Sequence, residues 1–289
     1  MKLNEAFRKW IEIHSLAISK ATYDSYNSTY ENHIRSSNLG DFELDVIDTT
    51  VASDFLKNLN VGEATLWQVR KTLRALYNYY IDEGVIAKNP FIKTKVRYKA
   101  PKARIMKQNE MQKFLDVNCA NDMYPLFVLL SETGLRIGEG LGIAWDDIDF
   151  SKMVISIERQ FSRGEIKNLK TDTSNRIVNI SDLAIELLAM RRSKYPESKY
   201  VFENPKTGIP FSQVYVRQIF FDMLEKAGLP QMKLHSFRKY HATFLIENEI
   251  SLKAIQERMG WSSPMMLLDI YAQVTSTEEE KIKNLLNKK

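Results

Sequence analysis

Two stretches decide the fold of this chain: ETGLRIGE at residues 132–139 and LHSFRKYHA at residues 234–242. The first follows an apolar helical run, breaks at a Thr-Gly pair and resumes as a helix at Arg136, so it predicts an arginine presented by a turn. The second places His235 and Arg238 three residues apart at a helix start, and therefore on one face. An isolated arginine or histidine is more often a cap or a solvated side chain, so each stretch alone stays open to that interpretation.

Helical periodicity surrounds both stretches, with strand-like runs between them. We expect three short strands, at Val154–Ile157, Glu165–Leu169 and Ile177–Ile180, to form a small sheet. The helices expected in this second part span residues 108–119, 124–132, 136–141, 182–194, 212–227, 236–248, 251–259 and 264–271.

The first 92 residues are expected to be helical, with Leu3–His14 and Glu63–Tyr80 as the clearest amphipathic segments. Further helices are expected around Tyr23–Ile34, capped by Ser19 or Thr22, and around Val51–Leu59. One face of the long fourth helix carries three basic residues, which are either solvated or in contact with DNA: Arg70, Lys71 and Arg74.

The net charge of +5 is concentrated in one segment, because residues 93–107 hold seven basic side chains and no acidic one. The segment is either a solvated linker or a strap that neutralises phosphates, and both interpretations make it a domain boundary. Its candidate DNA contacts are Lys95, Arg97, Lys99, Lys102 and Arg104.

Length and composition exclude several classes of protein. A chain of 289 residues with 44% hydrophobic and 27% charged residues predicts two globular domains. The single cysteine, Cys119, excludes a disulfide framework and a multi-cysteine metal site, and it suits a reducing compartment. No apolar run is long enough to span a membrane. We therefore expect a cytoplasmic protein without membrane contact.

No phosphate-binding glycine loop, paired metal-binding histidines or nucleophile elbow is present. The nearest approach to a metal site is the carboxylate triplet Asp146, Asp147 and Asp149, which turn chemistry explains equally well.

Basic and aromatic side chains remain, and together they suit phosphoryl transfer without a metal. Two arginines can grip non-bridging phosphate oxygens and stabilise the charge of a five-coordinate transition state. A lysine can protonate the leaving oxygen, a histidine can assist proton transfer, and a tyrosine can form a covalent phosphoenzyme.

In these blocks the sequence resembles the tyrosine recombinases, or phage integrase family. The T-G-L-R-x-x-E block matches Thr133–Glu139, and the K-T-x-x-S-x-R block matches Lys170–Arg176. The H-x-x-R-x-x-H-A block matches His235–Ala242, and the L-G-H/W-S-S block matches Met259–Ser263 with tryptophan at the histidine position. The L-D-x-Y motif ends on Tyr271.

The resemblance implies a role for each matched residue. Tyr271 would be the nucleophile, Glu139 and His241 would support the site, and the remaining catalytic residues would be Arg136, Lys170, His235, Arg238 and Trp261. For the lysine, nearby Lys167 stays open as the alternative.

The implied fold is mainly α with a small three-stranded antiparallel sheet, in a two-domain C-shaped DNA clamp. Residues 1–92 would form a helical core-type DNA-binding domain, 93–107 a basic interdomain linker, and 108–289 the catalytic domain with a C-terminal helical tail. That tail, residues 275–289, carries an apolar stripe that would dock either on its own domain or on a neighbouring protomer.

The implied function is site-specific recombination of duplex DNA through a 3′-phosphotyrosine intermediate, without metal or other cofactor. The partners would be specific recombination sites, a homotetramer on synapsed sites and accessory DNA-bending or directionality factors, in a nucleoid-associated protein. Integration or excision of a phage or mobile element is the favoured role. The alternatives are a recombinase that resolves chromosome dimers and a non-catalytic DNA-binding regulator of the same fold.

Overall fold

The structure is a computed structural model that describes residues 1–98, 104–169, 175–274 and 286–287. The chain divides into two compact units, Met1–Lys102 and Ala103–Lys289, so the division lies inside the basic segment 93–107. The tail at 275–289 falls outside the described residues, except for positions 286 and 287.

The described part of unit 1 is helical, as the periodicity predicts. Ser19 caps the second helix by accepting from the backbone N–H of Thr22 at 3.3 Å, and Asp48 caps the third by accepting from Val51 at 2.8 Å. The α-helices are α1 (Leu3–Ser15), α2 (Lys20–His33), α3 (Thr49–Asn58) and α4 (Glu63–Asp82).

Aromatic side chains hold unit 1 together. Phe7 stacks on Tyr30 with ring centroids 4.1 Å apart, and Trp10 is fully buried beside them. Tyr80 is buried on α4, and its hydroxyl donates to the carbonyl of Ala6 at 2.8 Å. This bond ties the C-terminal half of α4 to α1, so the four helices share one core.

Unit 2 is built from helices with short strands among them. Its helices are α5 (Gln108–Asn118), α6 (Tyr124–Thr133), α7 (Ile137–Gly142), α8 (Asp182–Lys194), α9 (Gln213–Lys226), α10 (Ser236–Glu247), α11 (Leu252–Met259) and α12 (Met265–Val274). Its strands are β1 (Ile148–Asp149), β2 (Val154–Ile157), β3 (Arg159–Ser162), β4 (Glu165–Asn168), β5 (Arg176–Asn179), β6 (Glu203–Asn204) and β7 (Ile209–Pro210).

The three-stranded antiparallel sheet is present, but one of its expected strands is wrong. Its order is β1-β2-β5, with Ile155 opposite Val178 and Ile148 opposite Ile155. The expected strand at Glu165–Leu169 instead pairs with β3 in a separate hairpin. Arg163 and Gly164 both have positive φ at its tip, and such two-residue turns close hairpins between adjacent strands.

The W-D-D-I-D segment is confirmed as turn and cap structure. Asp147 accepts from the backbone N–H of Ala144 at 2.8 Å and from Arg159 at 3.0 Å. Asp149 accepts from Ser151 and Lys152 and ends the short strand β1.

A cluster of four phenylalanines forms the centre of the larger core of unit 2. Phe220 on α9 lies 5.6 Å from Phe114, 5.8 Å from Phe127 and 5.3 Å from Phe237 between ring centroids. Because Phe237 directly precedes Arg238, this cluster fixes the start of α10.

A second, smaller core joins α10, α11 and α12. Ala242, Ile255 and Met259 are buried against Leu267 and Ile270 of α12. The last two of these lie on the helix that carries Tyr271, so α12 is packed on α10. Among the described helices, none is both long and apolar enough to cross a membrane.

Replacing Phe220 with Ala should lower the free energy of unfolding of unit 2 by about 3–5 kcal/mol, because the ring is fully buried among three others and leaves a cavity. Urea unfolding of the whole chain, followed by circular dichroism, measures the change. Phe150→Ala is the control, since Phe150 is an exposed phenylalanine of the same unit. Equal losses in the two variants would contradict the assignment of Phe220 to the core.

Candidate active site

The turn between α6 and α7 presents Arg136. Gly134 adopts the left-handed conformation with φ of 65°, and a Cβ there would lie 2.7 Å from the sulfur of Met259 and 2.9 Å from the ring of His241. Glycine is therefore required both by the backbone and by the close packing. The turn leaves the Arg136 side chain 39% exposed at the start of α7.

A buried carboxylate holds two arginines together. Glu139 accepts from Nη1 of Arg136 at 2.6 Å and from Nη2 of Arg176 at 2.9 Å. It also accepts from the backbone N–H of Arg136 at 2.9 Å. Burial alone would raise the pKa of Glu139, but the two guanidiniums outweigh it and lower the pKa below its usual value. Glu139 is therefore ionised and fixes the direction of the Arg136 side chain.

Arg238 is almost completely buried at the start of α10. Its Nη1 donates to the carbonyl of Gly134 at 2.7 Å, and its Nη2 donates to the carbonyl of Met259. Its Nε has no acceptor among the described residues. Burial, and then the charge of Arg136, lower the pKa of Arg238 to about 9. The group is still protonated at neutral pH, in surroundings short of negative charge.

The indole of Trp261 lies under this guanidinium. The centre of the Arg238 guanidinium is 5.0 Å from the Trp261 ring centroid, a cation–π arrangement. Trp261 is 5% exposed, and its Nε1–H also lacks an acceptor among the described residues. Buried donors usually have partners, so both donors are available to an acceptor from outside the described residues.

His235 precedes α10 and is exposed. Desolvation by the surrounding protein lowers its pKa, and the positive charges of Arg238, Lys239 and Arg136 lower it further. His235 is therefore neutral at neutral pH and able to accept a proton.

His241 is buried and has partners on both ring nitrogens. Nε of Arg258 donates to its Nε2 at 3.0 Å, so its Nδ1 carries the proton and donates to the carbonyl of Ser131 at 3.1 Å. Burial, and then Arg258, lower the pKa of His241 to about 3. His241 is therefore a neutral imidazole with a hydrogen bond on each ring nitrogen, and its supporting role stays a prediction.

Tyr271 lies on α12 and is 36% exposed, whereas Ile270 next to it is buried against α10. The nucleophile expected from the sequence is therefore accessible on a helix packed against the one that carries Arg238. Lys170 falls outside the described residues. The alternative lysine, Lys167, is on β4 and forms an ion pair with Glu165 at 2.9 Å.

The candidate DNA contacts differ in their surroundings. In unit 1, Arg70 is engaged within the protein, because it donates to Thr94 at 2.9 Å and to the carbonyl of Ile92 at 3.1 Å. The ammonium of Lys71 lies 5.2 Å from the ring centroid of Trp67. The exposed residues of this set in unit 1 are Lys71, Arg74, Lys95 and Arg97.

In unit 2, Arg104 forms an ion pair with Glu110 and donates to the sulfur of Met232 at 3.4 Å. Lys99 and Lys102 fall outside the described residues. DNA contact stays a prediction for the whole set.

Two residues of the site were missed as candidates from the sequence. Arg176 was visible as the last residue of the K-T-x-x-S-x-R block, and it ties Glu139 to the carbonyl of Arg258 at 2.7 Å. Arg258 carries no motif signal. No group of three or more His, Cys, Asp or Glu side chains in the described ranges could hold a metal ion.

Known proteins resemble this chain over nearly its whole length. The phage integrase family model matches residues 104–278, and the phage integrase SAM-like domain matches residues 2–96. The chain is 26% identical to a tyrosine recombinase XerC-like protein of Caldanaerobacter subterraneus subsp. tengcongensis, over 99% of this chain and 82% of that protein. It is 25% identical to a probable integrase of prophage ps2 from Lactococcus lactis subsp. lactis, over 98% of this chain and 80% of that protein.

Solved structures share the fold. The integrase of transposon Tn1549, in complex with a circular intermediate DNA, superposes with a TM-score of 0.84 at 21% identity, covering 98% of this chain and 99% of that one. A lambda integrase dimer bound to a core site gives a TM-score of 0.73 at 22% identity, covering 93% of this chain and 95% of that one. Since the first family model alone matches more than half of the residues, the chain belongs to the phage integrase family of tyrosine recombinases.

Proposed function

We propose that this protein is a site-specific DNA recombinase that cuts and rejoins duplex DNA through a 3′-phosphotyrosine on Tyr271. The observation that carries the proposal is the pair of buried donors without acceptors among the described residues, Nε of Arg238 and Nε1 of Trp261. In the proposed complex, non-bridging oxygens of the scissile phosphate are the acceptors for these donors. Arg136, whose side chain is partly exposed and bound by Glu139, provides the second guanidinium.

The chemistry exchanges one phosphodiester bond for another. The hydroxyl oxygen of Tyr271 attacks phosphorus, the bond from phosphorus to the 5′ oxygen breaks, and the tyrosine proton passes to neutral His235. Lys170 protonates the departing 5′ oxygen. Attack by a 5′-hydroxyl of a partner duplex reverses the step and restores the tyrosine.

Arg136 and Arg238 stabilise the charge of the transition state, so a metal is not required. Because the phosphotyrosine keeps the bond energy, a nucleotide cofactor is also unnecessary.

We favour a role in integrating or excising a mobile element, on the basis of the likeness to a prophage integrase and to the ICEBs1 integrase of Bacillus subtilis. Resolution of chromosome dimers is the alternative, because the chain is also similar, at 26% identity, to a tyrosine recombinase XerC-like protein. A homotetramer on two synapsed sites, nucleoid association and accessory DNA-bending or directionality factors belong to the same proposal. One of the similar solved structures is a lambda integrase tetramer bound to a Holliday junction.

Tyr271→Phe should abolish the covalent protein–DNA adduct on nicked duplex and leave binding to the site nearly unchanged. The substitution removes only one hydroxyl from a large phosphate interface, but that hydroxyl holds the attacking atom. Denaturing gels measure the adduct and gel shifts measure binding. Tyr215→Phe, on an exposed tyrosine of the same unit, is the control. An adduct formed by the Tyr271→Phe variant would place the nucleophile elsewhere, and no adduct with the wild type would favour the non-catalytic regulator.

Arg136→Ala should slow cleavage by ~10²-fold or more, the loss typical of one preorganised donor to the transition state. Arg136→Lys should recover little of it, because an ammonium cannot grip two oxygens in the fork geometry. Single-turnover cleavage at saturating enzyme gives the rates. Arg192→Ala, which removes an exposed arginine packed on Trp145, serves as the control and should cleave normally. An Arg136→Ala rate within threefold of wild type would show that the arginine is only structural.

Replacing Lys95 and Arg97 together with Gln should weaken binding to specific and random DNA about equally. Both cations are exposed, and phosphate contacts carry no sequence information. The slope of log affinity against log salt should fall by up to ~1.8, about 0.9 for each phosphate that is no longer neutralised. The matched pair Lys9→Gln and Lys57→Gln removes two exposed cations that already have carboxylate partners. A slope equal to wild type would show that Lys95 and Arg97 make no phosphate contacts.

A further inference from the structure

Three side chains donate hydrogen bonds to carbonyls at the end of α6, two from α10 and one from α11. The last carbonyls of a helix have no partner within the helix and carry its negative dipole end. Here the carbonyl of Ser131 accepts from His241, that of Glu132 accepts from Arg258 at 2.9 Å, and that of Gly134 accepts from Arg238. These carbonyls lie two to five residues before Arg136, so the position of that guanidinium depends on how this helix end is held.

The side chain of Arg258 donates three hydrogen bonds at this helix end. It occupies the last turn of α11 and is half-buried. Its Nε donates to His241, while its Nη2 donates to the carbonyls of Glu132 at 2.9 Å and Asn179 at 3.0 Å. One side chain thus joins α6, α10 and the end of β5 to α11.

The backbone carbonyl of Arg258 is also hydrogen-bonded to an arginine of the site. The carbonyl of Arg258 accepts from Nε of Arg176, whose Nη2 is paired with Glu139. The next carbonyl, that of Met259, accepts from Arg238. The last turn of α11 therefore accepts hydrogen bonds from Arg176 and Arg238, and the Arg258 side chain fixes where that turn lies.

We propose that Arg258 is a positioning residue for DNA cleavage, which holds the end of α6 and His241 in the arrangement that presents Arg136. It does not touch the phosphate. The planar fork is needed because three acceptors lie around one guanidinium, and an ammonium cannot bond all three in the same directions. The inference rests on the proposed recombinase activity.

The first test compares Arg258→Met with the wild type under single-turnover conditions at saturating enzyme. Cleavage of nicked duplex should slow by about 10- to 100-fold, while DNA affinity from gel shifts stays within about threefold, because the binding surface is untouched. Lys253→Met removes an exposed lysine from the same helix and should cleave normally. An Arg258→Met rate within threefold of wild type overturns the proposal, as does a cleavage loss matched by an equal loss of affinity.

The second test asks whether Arg258 acts through Arg136. In the double variant Arg136→Ala with Arg258→Met, cleavage should be within about threefold of Arg136→Ala alone, because the group being positioned is already missing. Losses that multiply would assign the two residues independent roles and overturn the proposal.

The conservative variant keeps the proposal testable if Arg258→Met does not fold. Arg258→Lys keeps the charge and some of the hydrogen bonds, so we expect cleavage about 3- to 10-fold below wild type with unchanged affinity, and a thermal midpoint closer to that of the wild type than Arg258→Met has. A Lys variant that cleaves at the wild-type rate would show that the fork is not needed and would overturn the proposal. Failure of the wild type itself to form an adduct refutes the recombinase proposal instead, so the two failures are distinguishable.

Discussion

The rest of the site depends on the way positive charge is compensated inside unit 2. Arg136, Arg176, Arg238 and Arg258 influence one another electrostatically, and desolvation makes their repulsion more costly than it would be in water. The carboxylate of Glu139 bridges two of them directly. Backbone carbonyls at the ends of α6 and α11 accept from the others, and these are the groups that helices leave without internal partners. Arg136 and Arg176 thus share a carboxylate, whereas Arg238 and Arg258 donate to backbone carbonyls at helix ends.

Because backbone carbonyls carry no net charge, their use as acceptors leaves the site with a net positive field. A carbonyl accepts a hydrogen bond without cancelling the charge of the guanidinium, which is why the pKa of Arg238 falls to about 9 once burial and Arg136 act on it. Below that pH the Arg238 guanidinium is charged. An approaching phosphate stabilises the charged form and raises the pKa again. In the proposed reaction, DNA therefore supplies the negative charge that the protein omits. Donors fixed in this way need no reorganisation when charge develops in the transition state.

The longer helices were predictable from the sequence because their apolar spacing is regular over ten residues or more. The turn before Arg136 was predictable because only glycine suits it. Strand pairing was not predictable, because strands of two to four residues have too short a hydrophobic alternation to indicate which strands pair. The Arg163-Gly164 turn was a local signal for the β3–β4 hairpin that the periodicity argument did not use. Arg258 could not have been found, since an arginine in the last turn of a helix is ordinarily explained by the helix dipole alone.

The two arginines proposed to grip the phosphate differ in how far their chemical and structural roles can be separated. Arg238 is 1% exposed and holds the carbonyls of Gly134 and Met259, so any substitution there also releases two helix ends and leaves them without donors. The side chain of Arg136 is 39% exposed and is bound through Glu139, which stays paired with Arg176 when Arg136 is removed. Kinetic losses at Arg136 therefore measure transition-state stabilisation, whereas losses at Arg238 combine that term with the cost of disrupting the turn that carries Arg136.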